Sequence, residues 1–521
     1  MTSPLYWPNV AGRSLLEQVN AEATALTDAR AAAEAAAGLA QAAAGAAAQS
    51  AAEMPEFRAA LAGAAADGGA GMVGHDPEAD YPDDTVGRRI NVIQAPATPH
   101  EFGAAPQGDY ATQTGPSSSG GINAMLAACA GRRSMRFPAG VYSLDSTLFY
   151  GGSGHIDITF EAGAVLMPSV DWVSTQPHLM AIHSYGPVST SYNGTGGDPA
   201  ARQIVHIAGP GRFDCRRLQR QGTGVGSAGL NIAGRSIQYA HVEGVEFFAS
   251  RFDSNGEPVY WRYSDLPGGD TGIGIMGCSN IHLDNLRMFG FPDAGAYLGG
   301  DFEEAGERLN IINCLTDMTN FGLTVKRNFR RANISGNRVE RGVVGISLLY
   351  ASVTGGNAGP AQAQILSNNA ADHVQQAFWL ECQTGISAVG NRATNLGRGA
   401  YDNNADALVS MFTLTGCQDC DFESNVAYNV QSIRPTHTLN NSEAFAFATL
   451  GTFSQAINGA TLTRHSTGNR IHGGRVDGLH AGVVEADANQ DGNVYDGIRM
   501  AGVTRPYLLK GPASQAWEIG R

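Results

Sequence analysis

Between residues 322 and 368 the chain reads Gly322-Leu-Thr-Val325, then Ile334-Ser-Gly-Asn337, then Gly345-Ile-Ser-Leu348, then Ile365-Leu-Ser-Asn368. Two phrases alternate: a glycine opening a short apolar strand, and an apolar residue running through one or two spacers into asparagine. Working outward, the glycine phrase recurs at Gly272-Ile-Gly-Ile275 and Gly295-Ala-Tyr-Leu298. The asparagine phrase recurs at Leu283-Asp-Asn285, Ile312-Asn313, Val389-Gly-Asn391, Phe422-Glu-Ser-Asn425, Thr467-Gly-Asn469 and Asp491-Gly-Asn493. Successive asparagines stand 28, 24, 31, 23, 34, 44 and 24 residues apart. The short intervals suit one coil of a three-stranded solenoid, and the longer ones imply loops inserted into it. Asparagine tolerates the left-handed backbone of a sharp corner, and its side chain bonds neighbouring backbone groups, so stacked asparagines form a ladder. The pattern predicts an all-β body, a right-handed parallel β-helix.

Composition agrees. Glycine stands at 67 of 521 residues, roughly 13 % against an average near 7 %, which suits many tight turns between short strands. The net charge of −14 argues against a surface that tracks phosphates, so no nucleic-acid partner is expected. No run of about 18 apolar residues occurs, so no membrane insertion is expected. Met1 to Val10 lacks a basic region followed by an apolar one, so no signal peptide is expected. The seven cysteines, at 129, 215, 278, 314, 382, 417 and 420, are scattered and odd in number, as small core hydrophobes of a protein assembled under reducing conditions are. Cys417 and Cys420 form a CxxC with no second pair nearby, so neither a metal nor another cofactor is expected.

Ser14 to about Ala66 is alanine-dominated, with a 3,4 rhythm at Leu16, Val19, Ala23 and Leu26, then Ala33, Ala37, Ala40, Ala44 and Ala47. Arg30 interrupts the series, and Ser14 with Glu17 has the spacing of a capping box. Residues 1–66 are therefore expected to form a helical coiled-coil attachment segment whose thin alanine seam needs partner chains, which makes the protein a homotrimer. A low-complexity arm ordered only on a docking surface fits the same composition. Residues 67–100 read as a Gly/Pro/Asp-rich linker and neck that holds Thr85-Val-Gly-Arg-Arg-Ile90; 101–500 is the β-helix; 501–521, without apolar period, is a C-terminal cap. A short helix is expected over Gly121 to Ala130, and Ile156-Asp-Ile-Thr-Phe160 alternates as a half-buried strand should.

Phe137-Pro-Ala-Gly-Val-Tyr142 resembles the opening rung of the pectate-lyase-like β-helix superfamily, and Val205-His-Ile-Ala-Gly-Pro-Gly-Arg-Phe-Asp214 its second signature. The order Asp270-Thr-Gly-Ile-Gly-Ile275, Ser279-Asn-Ile-His-Leu-Asp-Asn285, Asp293-Ala-Gly-Ala-Tyr-Leu298 resembles the polygalacturonase-like branch. The alanine-rich segment and linker ahead of such a body resemble bacteriophage tail spikes and tail fibres. The phage opening is degraded here to Phe102-Gly-Ala-Ala and Gly108-Asp-Tyr-Ala-Thr.

Glycosidic cleavage needs an acid for the leaving oxygen and a carboxylate to attack or to activate water. Adjacent coils lie about 4.8 Å apart, so Asp270 and Asp293, 23 residues apart and each preceding a Gly-apolar strand, are the candidate catalytic pair. Caps of turns are the competing role. The resemblance implies a doubled Asp and a His that this chain lacks: it has Pro292-Asp-Ala294, and Asn320 where the branch has histidine. Candidate substrate contacts are Asn320, Lys326 and Arg327, together with Tyr297 and the aromatics Tyr260, Trp261 and Tyr263 of the insertion Arg251 to Gly269, whose ring faces suit sugar rings. Asp301, Glu303 and Glu304 form an acidic loop, most simply a solvated one, with a cation site as the competing role.

The resemblance implies a tail spike or fibre of a virion, assembled in the host cytoplasm and joined to tail or baseplate proteins through its N-terminal segment. It would recognise a host surface polysaccharide, and as a glycoside hydrolase or polysaccharide lyase it would also depolymerise it. A non-catalytic receptor-binding or structural spike is the alternative, and a free-standing bacterial polysaccharide enzyme a further one.

Overall fold

The protein is described from a computed structural model, which places residues 95–172, 178–184, 198–216, 218, 228–249, 271–300, 306–326, 329–349, 362–371, 376–394, 409–428, 445–457, 460–478, 481–503 and 505–517. The chain divides into two compact units, Met1–Val92 and Ile93–Arg521. The expected coiled coil and most of the linker lie outside the described residues, as do Asp270, Tyr260, Trp261, Tyr263, Arg327 and the acidic loop residues Asp301, Glu303 and Glu304.

Three parallel sheets wrap one core as a right-handed β-helix. The first sheet has 13 strands, from Met135–Phe137 to Gln515–Trp517; the second has 12, from Gly140–Leu144 to Arg499–Ala501; the third has 12, from Leu148–Tyr150 to Arg505–Leu508. Each strand pairs with its equivalent one coil away. Ile281, for example, pairs with Ala240 on one side and Leu309 on the other. Period-two burial follows: Ile156–Phe160 buries alternate residues, with side chains from all three sheets meeting inside. Aromatic rings stack along that core, Phe137 on Phe160 at 4.7 Å and Phe378 on Phe412 at 5.1 Å between centroids.

The corner from first to second sheet shows why asparagine repeats. From the strand Ile237–Glu243 onward it is two residues long in every coil. The first has positive φ: Gly244, Asn285, Asn313, Gly336, Ser367, Gly390, Ser424, Gly473 and Gly497. The second is buried in every coil but that of Gly474, which is half-buried, and in four successive coils it is Asn337, Asn368, Asn391 and Asn425. Asn391 donates its side-chain amide to Ile365 O (2.7 Å) and Asn425 Oδ1 (3.0 Å), while its Oδ1 accepts from the backbone and side chain of Asn368, each at 3.0 Å. Asn285 and Asn313 thus supply the left-handed residue, and the next four supply the ladder. Asn469 and Asn493 belong elsewhere: they form a second ladder at the corner entering the first sheet, where Asn469 bonds Cys417 O and Asn493 Oδ1.

The glycine phrase also has a packing cause. A Cβ added at Gly272, Gly295 or Gly322 would meet the carbonyl oxygen of the glycine one coil on, at 2.7, 2.7 and 2.5 Å.

The helix Ser119–Cys129 covers the start of the solenoid, burying Ile122, Met125, Leu126 and Cys129 on one face. Asn123 fixes it to the first coil, donating to Thr147 O and accepting from Phe149 N. At the other end, residues 501–517 add strands to the third and first sheets instead of leaving the coil pattern. Glu485 stands in the core position held one coil earlier by Leu450. It is fully buried and accepts from Tyr495 Oη, Asn493 Nδ2 and the backbone N–H groups of Lys510 and Gly511. That clip holds the last coil.

All seven cysteines are free and buried, and burial pushes the Cys382 thiol up to about 11 and Cys314 up to about 12. Such thiols are poor nucleophiles. Among the described residues, no group of three or more His, Cys, Asp or Glu is arranged to hold a metal ion, and no helix is long and apolar enough to cross a membrane.

Candidate functional site on the third sheet

The described candidate residues gather on or beside the third sheet. Its strands Ala294–Gly299, Phe321–Lys326, Val344–Leu349, Gln376–Glu381 and Val409–Thr415 lie side by side. Their outward positions form a column: Tyr297, Thr324, Ser347, Trp379 and Thr413. Each is flanked on its own strand by buried apolar residues, as Trp379 is by Phe378 and Leu380. Period-two alternation leaves no other direction for these side chains.

Tyr297 and Trp379, both half-buried, stand three coil steps apart, or about 14 Å, with Thr324 and Ser347 buried between them. The Thr324 and Ser347 hydroxyls share a hydrogen bond of 2.9 Å. The Trp379 ring lies nearly parallel to Phe321, two coils back, with centroids 6.4 Å apart. Lys326 Nζ stands 5.1 Å from the centre of the Tyr297 ring, a cation–π distance. Two flat aromatic surfaces and one cation form an arrangement suited to sugar rings.

Thr271 pairs with Ala294, and Ala294 with Phe321. Positions 270, 293 and 320 therefore immediately precede strands in register on consecutive coils. Asp293 is half-buried, and its carbonyl accepts from Phe321 N at 2.8 Å. Asn320 is 2 % exposed, and its carbonyl accepts from both Val343 N and Val344 N. Asp317, paired with Arg341, braces the turn ahead of Phe321.

Sequence reasoning passed over Trp379 and Phe321. A signal was present: in Gln376-Ala-Phe-Trp-Leu380 alternation from the core residue Phe378 turns Trp379 outward.

The chain's long connections enter or leave this same sheet. Residues 249–270, 395–408 and 429–444 precede its strands, and 350–361 and 452–469 follow them. The last contains an antiparallel hairpin, Phe453–Ile457 with Ala460–Arg464. Arg464 ties it to the solenoid through Cys382 O, Thr384 Oγ1 and Gln418 Oε1.

No protein-family model matches this sequence, and no curated protein sequence matches it either. Solved structures do match in fold. A double-mutant tailspike protein of E. coli bacteriophage HK620 is similar at a TM-score of 0.51 and 14 % identity, over 86 % of this chain and 73 % of that one. A family 28 exopolygalacturonase of Yersinia enterocolitica is similar at a TM-score of 0.49 and 11 % identity, over 81 % of this chain and 78 % of that one. The fold of this chain is thus a parallel β-helix of the kind found in that tailspike.

Proposed function

We propose that this protein is a virion spike that recognises a bacterial surface polysaccharide along the outer face of its third sheet. The observation that carries the reading is the coincidence on one face of the Tyr297 and Trp379 rings and the margins where the long connections insert. A long, straight, coil-repeated surface matches a linear repeating ligand, and the fold shared with a phage tailspike supports the setting.

Within that reading Tyr297, Trp379 and Lys326 contact the glycan, joined by Tyr260, Trp261, Tyr263 and Arg327. Asp270 and Asp293 form the acid pair if the chain cleaves what it binds: one protonates the leaving oxygen and the other attacks or activates water. The protein is a homotrimer held by its N-terminal segment, which also docks on tail or baseplate proteins, and it assembles in the host cytoplasm.

The test is a panel of purified bacterial capsular and O-antigen polysaccharides, probed for binding and then for new reducing ends or unsaturated products. Binding to one member with products lost in Asp293→Asn supports a cleaving spike. Binding with no product leaves a recognition spike. No binding to any surface polysaccharide of a bacterium to which the protein attaches contradicts the proposal. Light scattering of the full chain at three times the 54.4 kDa protomer mass is expected for the trimer, and a monomer contradicts it.

A further inference from the structure

The outer face of the first sheet carries a feature that glycan recognition does not use. His206, His241 and His282 occupy one register position on three consecutive coils, in the strands Gln203–Ala208, Ile237–Glu243 and Asn280–Asp284. The His206 and His241 rings stack at 5.0 Å between centroids, and His241 meets His282 edge-on at 4.5 Å. Tyr239 contacts His241 from its own strand, with centroids 6.0 Å apart.

Carboxylates face the stack from three strands. Asp157 Oδ1 lies 3.0 Å from His206 Nδ1. Glu243 lies 4.0 Å from His206 Nε2 and 3.5 Å from His241 Nε2. Asp284 acts on His241 from the third of these coils. His241 Nε2 is buried and makes no hydrogen bond.

Two effects compete when His241 takes up a proton. Glu243 and Asp284 favour its charge, while burial and the rings in contact with it oppose it. Burial, and then the neighbouring His282 and His206, hold His241 below the usual imidazole range, outweighing Glu243 and Asp284. The sign follows: a ring kept neutral in the fold supports stability above the ordinary histidine range, and that support is lost as pH falls through its lowered value.

We propose that this three-histidine stripe is an acid-operated weak point in the solenoid: proton uptake parts the rings and loosens the three coils that carry them, while later coils of the same sheet stay closed. Gln364 and Ser387 occupy the same register position in those later coils, so the sheet contains its own control.

The experiment is amide hydrogen exchange of the full-length protein at about pH 7.5 and about pH 5.5, corrected for intrinsic rates. Peptides covering 203–208, 237–243 and 280–284 are expected to lose protection about threefold more than those covering 362–366 and 386–389. His241→Gln, which cannot charge, is expected to abolish the difference. Where that variant fails to fold, His206→Gln and His282→Gln serve the same comparison. Equal loss across the sheet in the wild type, or a difference that survives the glutamine variants, overturns the proposal.

Discussion

The corner between first and second sheets and the margins of the third sheet are built from the same coils under opposite rules. From Ile237–Glu243 onward the corner is two residues in every coil, the first with positive φ and the second buried in all but the Gly473-Gly474 coil. The margins of the third sheet range from two residues, 327–328, to the run 249–270. The difference is one of satisfaction. From Gly244 to Gly473 each left-handed corner residue donates its N–H to the next coil, as Asn313 does to Ser335 O and Ser367 to Val389 O, so an extra residue would break a ladder. At the third sheet the strands close their own ladder before the chain leaves, and insertions there cost little. Binding groups accumulate where the architecture tolerates variety.

The sharpest way to break this contrast is to disturb the corner. Asn391→Leu leaves Ile365 O and the Asn368 donors without partners in the core. It is expected to cost roughly 4 kcal/mol by urea unfolding. A cost under about 1 kcal/mol would mean that the ladder contributes little.

Glycines separate the two rules on one sheet. An added Cβ at Gly322 meets Val339 Cγ1 at 2.2 Å as well as the Gly345 carbonyl, while at Gly451 nothing lies within 4 Å. Gly322→Ala is expected to destabilise by about 3 kcal/mol and Gly451→Ala by no more than about 0.5 kcal/mol. Similar losses from both would remove the close coil approach from the explanation.

Glu485 tests whether an end obeys the corner's rule. Glu485→Leu restores the apolar column of Leu450 but orphans the Lys510 and Gly511 N–H groups. A loss of about 2 kcal/mol is expected, seen in hydrogen exchange as opening of residues 505–517 alone. Opening spread through the preceding coils would show that the clip is not local.

These regions differed in legibility for the same reason. The asparagine and glycine phrases stood out because a corner and a close approach admit few residue types, and they gave the β-helix. They did not separate the two ladders, because Gly390-Asn391 and Gly468-Asn469 place the same pair, a left-handed glycine and a buried amide, at different corners. The last coil was missed as such, since its strands are short and Trp517 is 52 % exposed, so no apolar period marks it. On the third sheet, Thr271, Ala294 and Phe321, each one residue after a candidate position, pair in register on consecutive coils. Trp379 and Phe321 went unread because they stand two coils apart, in phrases that share no motif. The histidine stripe has the same character: one residue per coil at uneven intervals becomes a cluster only once register is known.

The claim that the third sheet is the recognition face is tested most directly by comparing polysaccharide binding in three variants. Trp379→Ala and Tyr297→Ala each remove an aromatic from that face. Arg392→Ala removes a cation packed 4.4 Å over Tyr428 on the second sheet. The account expects affinity for the glycan found in the panel to fall about tenfold or more in the first two, with Arg392→Ala binding as wild type. Unchanged binding in the aromatic variants, or loss in Arg392→Ala alone, would move the site to another face.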